Sequence, residues 1–191
     1  MSNELHRNSQ TRKPYFARLL CSLRKNEEGV TAVEFGIIAF PFLILIVAIL
    51  ETALVHMTSL DLENAVKSAS RQIRTGQAQV AALTSNQFKE LVCTKTVLIS
   101  SCKTTPNLVI DVRSYDDFDT ISTDPSELYD EYGNFIGGEN YNMGSGLKVV
   151  VVRAYYKMGL LAQVPIVGLA NAGAHHRMLN AISVFRNEPF S

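Results

Sequence analysis

The sequence has no excess of either charge: 18 Lys and Arg balance 18 Asp and Glu. A nucleic-acid binder needs a basic surplus, so that class is set aside. It also lacks the glycine spacings that cradle phosphates. Gly133, Gly137, Gly138, Gly144 and Gly146 match neither such motif. No G-x-S-x-G, H-E-x-x-H or comparable catalytic signature occurs, so an enzyme is not expected. Cysteine is scarce, three in all and without C-x-x-C spacing, so no metal site and no cofactor is expected. His175 and His176 are adjacent, which on a strand sends them to opposite faces and away from a shared substrate. Asp116, Asp117 and Asp119 do not follow the twelve-residue calcium-loop pattern and read as a solvated loop. What remains is 47% apolar and 19% charged, enough for a packed core and too apolar for a disordered chain.

The apolar residues are not evenly spread. Val30 to Leu50 reads VTAVEFGIIAFPFLILIVAIL. At about 1.5 Å per residue this run spans roughly 30 Å as a helix, the thickness of a bilayer core. A soluble core helix would need far more chain around it than is present. A cleaved secretory signal is shorter and ends in a small-x-small site, which is missing here. Residues 1–29 hold six Lys or Arg against three Asp or Glu, and after Leu50 the next basic residue is Lys67. Basic residues stay on the cytoplasmic side. The expected topology therefore has residues 1–29 in the cytoplasm and the rest beyond the membrane.

Glu34 lies within the span, where a carboxylate is costly and marks a functional candidate. Its neighbours read Gly29-Val30-Thr31-Ala32-Val33-Glu34-Phe35. A glycine before an apolar run, with Glu as the fifth residue after it and Arg24 and Lys25 upstream, resembles the processing site of type IV prepilin-like proteins. In that group a membrane peptidase cuts after the glycine. The Flp-type version has Glu-Tyr where this chain has Glu34-Phe35. If the chain is cut, Val30 becomes the N-terminus, and i and i+4 positions share a helix face. The new amine and the Glu34 carboxylate would then offset each other. The resemblance implies a further use, in which this Glu pairs with the N-terminus of a neighbouring subunit during assembly.

Taken together, the chain resembles the TadE family of the tight-adherence (Flp pilus) system. The stretches that carry the resemblance are EEGVTAVEFGIIAFPFLILIVAILE, RQIRTGQ at Arg71 to Gln77, the spaced Cys93 and Cys102, and SVFRNEPF at Ser183 to Phe190. The resemblance implies a minor pilin or pseudopilin in the bacterial inner membrane with a periplasmic domain. Its expected partners are other pilin subunits, the pilus assembly machinery and a prepilin peptidase. The alternative is an unprocessed, membrane-anchored periplasmic binding or adhesion domain.

Beyond the span, Val55, Leu62, Val66, Ala69 and Ile73 recur at helical steps, and no Pro or Gly interrupts Leu50 to Thr75. One long helix is expected, with Gly76 as its stop. Pro41 inside the span could kink it. Thr84 and Gln87 have capping-box spacing, and a short helix over Ser85 to Leu98 should follow. Strands are expected at Leu108–Arg113, Leu147–Tyr156 and Met178–Arg186. Residues 114–146 read as an irregular loop, and residues 158–170 as a short helix or loop. The expected fold is α+β and pilin-like, a small antiparallel sheet against the long helix. Its divisions are a basic leader 1–29, a transmembrane helix 30–50, an amphipathic extension 51–77 and a periplasmic domain 78–191. Cys21 falls on the reducing side. Cys93 and Cys102, with eight residues between them, fall where disulfides persist. A bridge there would contribute roughly 2–3 kcal/mol; two buried free thiols are the alternative.

Overall fold

The computed structural model describes residues 29–99, 102, 107–121, 140–161, 168–172 and 175–190. Helix α1, Val30–Arg74, runs 45 residues and passes Pro41 without interruption. The chain divides into two compact units, Met1–Ile46 and Val47–Ser191. In the first, the described residues are helix with their apolar side chains turned outward: Phe35 is 73% exposed and Phe40, Phe42 and Leu43 are exposed too. No residue of α1 before Glu51 is buried.

In the second unit the helix becomes one-sided. Glu51, Val55, Thr58, Leu62, Ala65, Val66, Ala69, Ser70 and Ile73 are buried. They recur at steps of three and four, which places them on one face. All five positions marked by the sequence periodicity lie in that set. The helix ends because Gly76 takes a left-handed φ of 78°, and its N–H bonds back to the Ile73 carbonyl. Glycine enters this region without steric cost. A four-residue helix α2, Gln77–Val80, follows.

Helix α3, Ser85–Lys95, opens with the reciprocal capping box. Gln87 N donates to Thr84 Oγ1 and Thr84 N donates to Gln87 Oε1. The helix stops three residues short of the expected Leu98. The cause is Asp61 of α1, whose carboxylate accepts from Val97 N and Leu98 N at 2.9–3.2 Å. Those donors are taken out of the helical ladder and into a turn.

Three strands complete the fold: β1 Leu108–Tyr115, β2 Val149–Gly159 and β3 His176–Arg186, antiparallel in the order β1-β2-β3. The register sets Val112 opposite Val152 and Val152 opposite Ser183. One face, with Leu108, Ile110, Val112, Val150, Val152, Ala154, Leu179 and Ala181, joins the buried face of α1 and Phe88 and Val92 of α3 in a single core. This is an α+β architecture with a long apolar helix and a small antiparallel sheet.

The two described ends of the expected 114–146 loop carry regular structure. β1 continues to Tyr115, a 3₁₀ turn covers Phe118–Thr120, and Tyr141 forms a parallel bridge with Val112. Residues 122–139 lie outside the described residues. β2 runs on through Met158 and Gly159, which the sequence placed in the following segment, because Met158 and Gly159 pair with Arg177 and His176. Of that following segment, residues 162–167 also lie outside the described residues. His176 opens β3, while His175 sits before it at φ 68°. Only one of the two histidines is therefore on the strand.

Candidate functional site

The residues singled out near the start of the span lie on the exposed side of helix geometry. Gly29 immediately precedes α1, and a Cβ added there would meet nothing within 4 Å. Val30 is the first helical residue, Glu34 stands one turn on, and both are exposed, as is Phe35. The i, i+4 relation of Val30 and Glu34 is thus that of a formed helix.

A second feature of α1 was not read from the sequence. Ile49, Ala53, Met57 and Leu60 follow one another by four, four and three residues and are all exposed. Met57 and Leu60 are each 59% exposed. They lie on the face opposite Glu51, Val55 and Leu62. The next positions on that face, Asn64, Lys67 and Arg71, are polar and exposed. The apolar row thus continues ten residues past Leu50, about 15 Å of helix, before it turns polar. The sequence signal was present, as a second apolar period out of phase with the core, but it is weaker than the core period and hidden beside it.

At the other end of α1, two stretches far apart in sequence come together. Glu188 N donates to the Arg74 carbonyl at 2.9 Å, and the Arg74 guanidinium faces the Glu188 carboxylate at 3.3 Å. The Phe190 ring packs where a side chain on Gly76 would stand, 2.7 Å from an added Cβ. Asn187, buried, donates to the carbonyls of Met143 and Ser145, and Gln79 donates to Met143 O. RQIRTGQ and SVFRNEPF thus form one latch, and Asn187 and the nearby Gln79 both donate to carbonyls of residues 143–145.

Cys93 and Cys102 are joined in a disulfide, Cα atoms 5.5 Å apart. The acidic stretch is engaged with cations. Asp116 bonds Lys148, which holds its carboxyl below the usual carboxylate range. Asp117 pairs with Arg186 at 2.9 Å, and Arg186 also stands over the Phe118 ring. Among the described residues no group of three or more His, Cys, Asp or Glu comes together as a metal site. Burial pushes the Tyr141 phenol up to about 12; its ring lies 5.9 Å from that of Phe88.

With this geometry in place, comparison with known families is decisive for one segment. Residues 29–71 match the model of the family described as TadE-like protein. This segment is TadE-like. The match begins at Gly29 and ends within α1, so the family resemblance read from the sequence is met over the anchor and most of the helix. Among the described residues one helix is long and apolar enough to cross a bilayer, in keeping with single-pass membrane anchoring. No curated protein and no solved structure matches the chain. The sheet and the latch lie beyond the TadE-like segment and are described from this fold alone.

Proposed function

We propose that the protein is a pilin-like minor subunit or assembly factor of a Flp, tight-adherence pilus. In this reading it is anchored in the inner membrane with residues 1–29 cytoplasmic and the domain after residue 77 periplasmic. A prepilin peptidase cuts between Gly29 and Val30. The new Val30 amine sits one helical turn from Glu34, where opposite charges attract strongly in low dielectric. Glu34 and Phe35 then serve as determinants of processing or assembly, and Cys93–Cys102 as a structural clamp.

One observation carries this reading: the apolar row Ile49-Ala53-Met57-Leu60. A helix that serves only as an anchor needs apolar surface for the thickness of the bilayer. About 15 Å more on the face turned away from the protein's own core calls for another helix to cover it. Lateral packing of α1 against the helices of other subunits would do so.

The test is intact mass and N-terminal sequencing of the membrane-extracted protein from its native host, beside a Gly29→Ala/Val30→Asp double variant and a Leu60→Glu variant. The expected result is a wild type beginning at Val30, a double variant that keeps residues 1–29, and a Leu60→Glu chain that is processed and folded but lost from pilus assembly. A wild type that retains residues 1–29 sinks the processing claim. Unchanged pilus assembly with Leu60→Glu sinks the packing claim and leaves an anchored periplasmic binding domain.

A further inference from the structure

The end of α3 has two sets of partners within its reach. The residue pattern carries this helix to Leu98, and the fold stops it at Lys95. Two side chains hold the shorter form. Asp61 of α1 accepts from Val97 N at 3.0 Å and from Leu98 N at 2.9 Å. Thr96 Oγ1 donates to the Cys93 carbonyl at 3.0 Å, which is the acceptor that Val97 N would use if the helix went on. Cys93 itself is bridged to Cys102.

In a continued helix, Val97 N and Leu98 N would donate to the carbonyls of Cys93 and Thr94, four residues back. In the observed form they donate to Asp61 instead, so neither form leaves these two donors open. Val97 is 83% and Leu98 49% exposed, and burial of their side chains does little to decide between the forms. The bridge does decide. A helix continued from Cys93 to Leu98 carries the chain about 7.5 Å along its axis, away from Cys93. A disulfide holds its Cα atoms within about 7 Å, and here they are 5.5 Å apart. A chain that has to be back beside Cys93 by residue 102 favours an early exit from the helix.

We infer that Cys93 and Cys102 are a redox switch acting on the end of α3. With the bridge closed, α3 stops at Lys95 and the 97–98 turn sits on Asp61. With two thiols, α3 runs on to Leu98 and Asp61 is released. The bridge closes by exchange with an oxidised protein or small-molecule disulfide. One cysteine thiolate attacks that disulfide and expels one of its sulfurs as a thiolate. The second cysteine thiolate attacks the mixed disulfide, forms the Cys93–Cys102 bond and expels the other sulfur. Two electrons pass to the oxidant, and the two protons lost by the cysteines end on its thiols. Both cysteines are buried in the closed form, which shields the finished bridge from reductants.

Asp61 directly follows Leu60, the last residue of the exposed apolar row on α1. Seated, its carboxylate is hydrogen-bonded to two N–H groups. Released, the same charge stands uncompensated beside Leu60, where covering it with another helix is costly. Closing the bridge thus readies the row for packing. That consequence rests on the assembly reading; the switch itself needs only the bridge.

The test follows the backbone α-carbon chemical shifts of Thr96, Val97 and Leu98 in the full chain in detergent. Oxidised wild type is compared with Cys93→Ser/Cys102→Ser. Wild type kept reduced throughout purification is the second bridge-free sample, in case serine disturbs the core, and slow amide exchange in β2 reports the fold. The expected result is extended shifts in the oxidised chain and helical shifts in both bridge-free samples, a change in the balance of the two forms on the order of 30-fold. Oxidised glutathione added to the reduced sample should restore the extended shifts. Unchanged shifts in both bridge-free samples, coil values in place of helical ones, or loss of β2 protection in both overturns the switch. In the pilus-forming host, recovery of Cys93→Ser/Cys102→Ser with sheared pili should fall with that of Leu60→Glu. Normal recovery of both variants refutes the assembly reading and leaves the switch standing. Normal recovery of the cysteine variant alone refutes the link from the bridge to Leu60.

Discussion

The two ends of α1 are built from similar apolar residues and put them to opposite use. From Val30 to Leu50 no side chain is buried. From Glu51 to Arg74 nine are, and several of these are small: Ala65, Ala69 and Ser70. Helical propensity does not distinguish the two ends. What differs is which solvent the apolar surface has to leave. The later half gains stability by burial within the chain, and the earlier half awaits lipid or another helix. Mutations should therefore divide sharply by position, even between residues of the same type.

The largest contrast is between two phenylalanines. Phe88 is fully buried against α1 and the sheet, whereas Phe35 is exposed. Phe88→Ala should destabilise the detergent-solubilised protein by about 3–5 kcal/mol in denaturant titration. Phe35→Ala should leave that transition in place within about 0.5 kcal/mol. A comparable loss from both would mean that the anchor end is buried by its own chain, and the comparison would fail.

The next effect tests the clamp. Replacing Cys93 and Cys102 together by Ser should cost roughly 2–3 kcal/mol in the same titration, the value for a short closed loop. A shift of similar size on adding reductant to the wild type would identify the bridge as the cause.

A smaller effect belongs to the contact between helix and loop. Asp61→Ala leaves the N–H groups of Val97 and Leu98 without their carboxylate and should cost about 1–2 kcal/mol. Amide exchange at residues 97 and 98 should rise more than elsewhere. Uniform exchange would show that the turn is held by other means.

The smallest effect is confined to alkaline solution. The raised phenol of Tyr141 titrates in the unfolded chain near its ordinary value of 10.0 and in the folded chain at about 12. Its stabilising contribution is complete below pH 10 and is lost as the pH rises toward 12. Thermal unfolding followed across that window should show a fall that Tyr141→Phe diminishes. An unchanged profile in Tyr141→Phe would assign the fall to other groups, among them Tyr156, whose phenol burial also raises.

Much of this arrangement was legible in the order of residues. The helical period from Val55 to Ile73 named the buried face, because a helix with one dry side has to repeat every three to four residues. Thr84 and Gln87 named the start of α3, since the capping box is a local contact. The valine run named the central strand, which is buried on both faces and so does not need to alternate. What escaped the sequence depends on partners distant along the chain. Asp61 holds backbone groups 36 and 37 residues away, and backbone donors leave no signature in residue type. The bridge at Tyr141 lies in a segment rich in Asn and Gly, where no period announces a strand. The row from Ile49 to Leu60 was visible, but the stronger core period masked it. For the candidate site, the residues Gly29, Val30, Glu34 and Phe35 were chosen from resemblance, and their exposure is what the fold adds.

The latch between α1 and the tail has a consequence in time. The carbonyl of Arg74 is capped by Glu188, and the space above Gly76 is filled by Phe190, more than a hundred residues further along the chain. As the polypeptide is made, the anchor and the first three-quarters of the domain emerge while the end of this helix still lacks its cover. The helix terminus can be sealed only after β3 has left the ribosome and found its place beside β2. A chaperone or membrane insertase acting during synthesis would therefore meet the Arg74–Gly76 corner open until Phe190 has emerged.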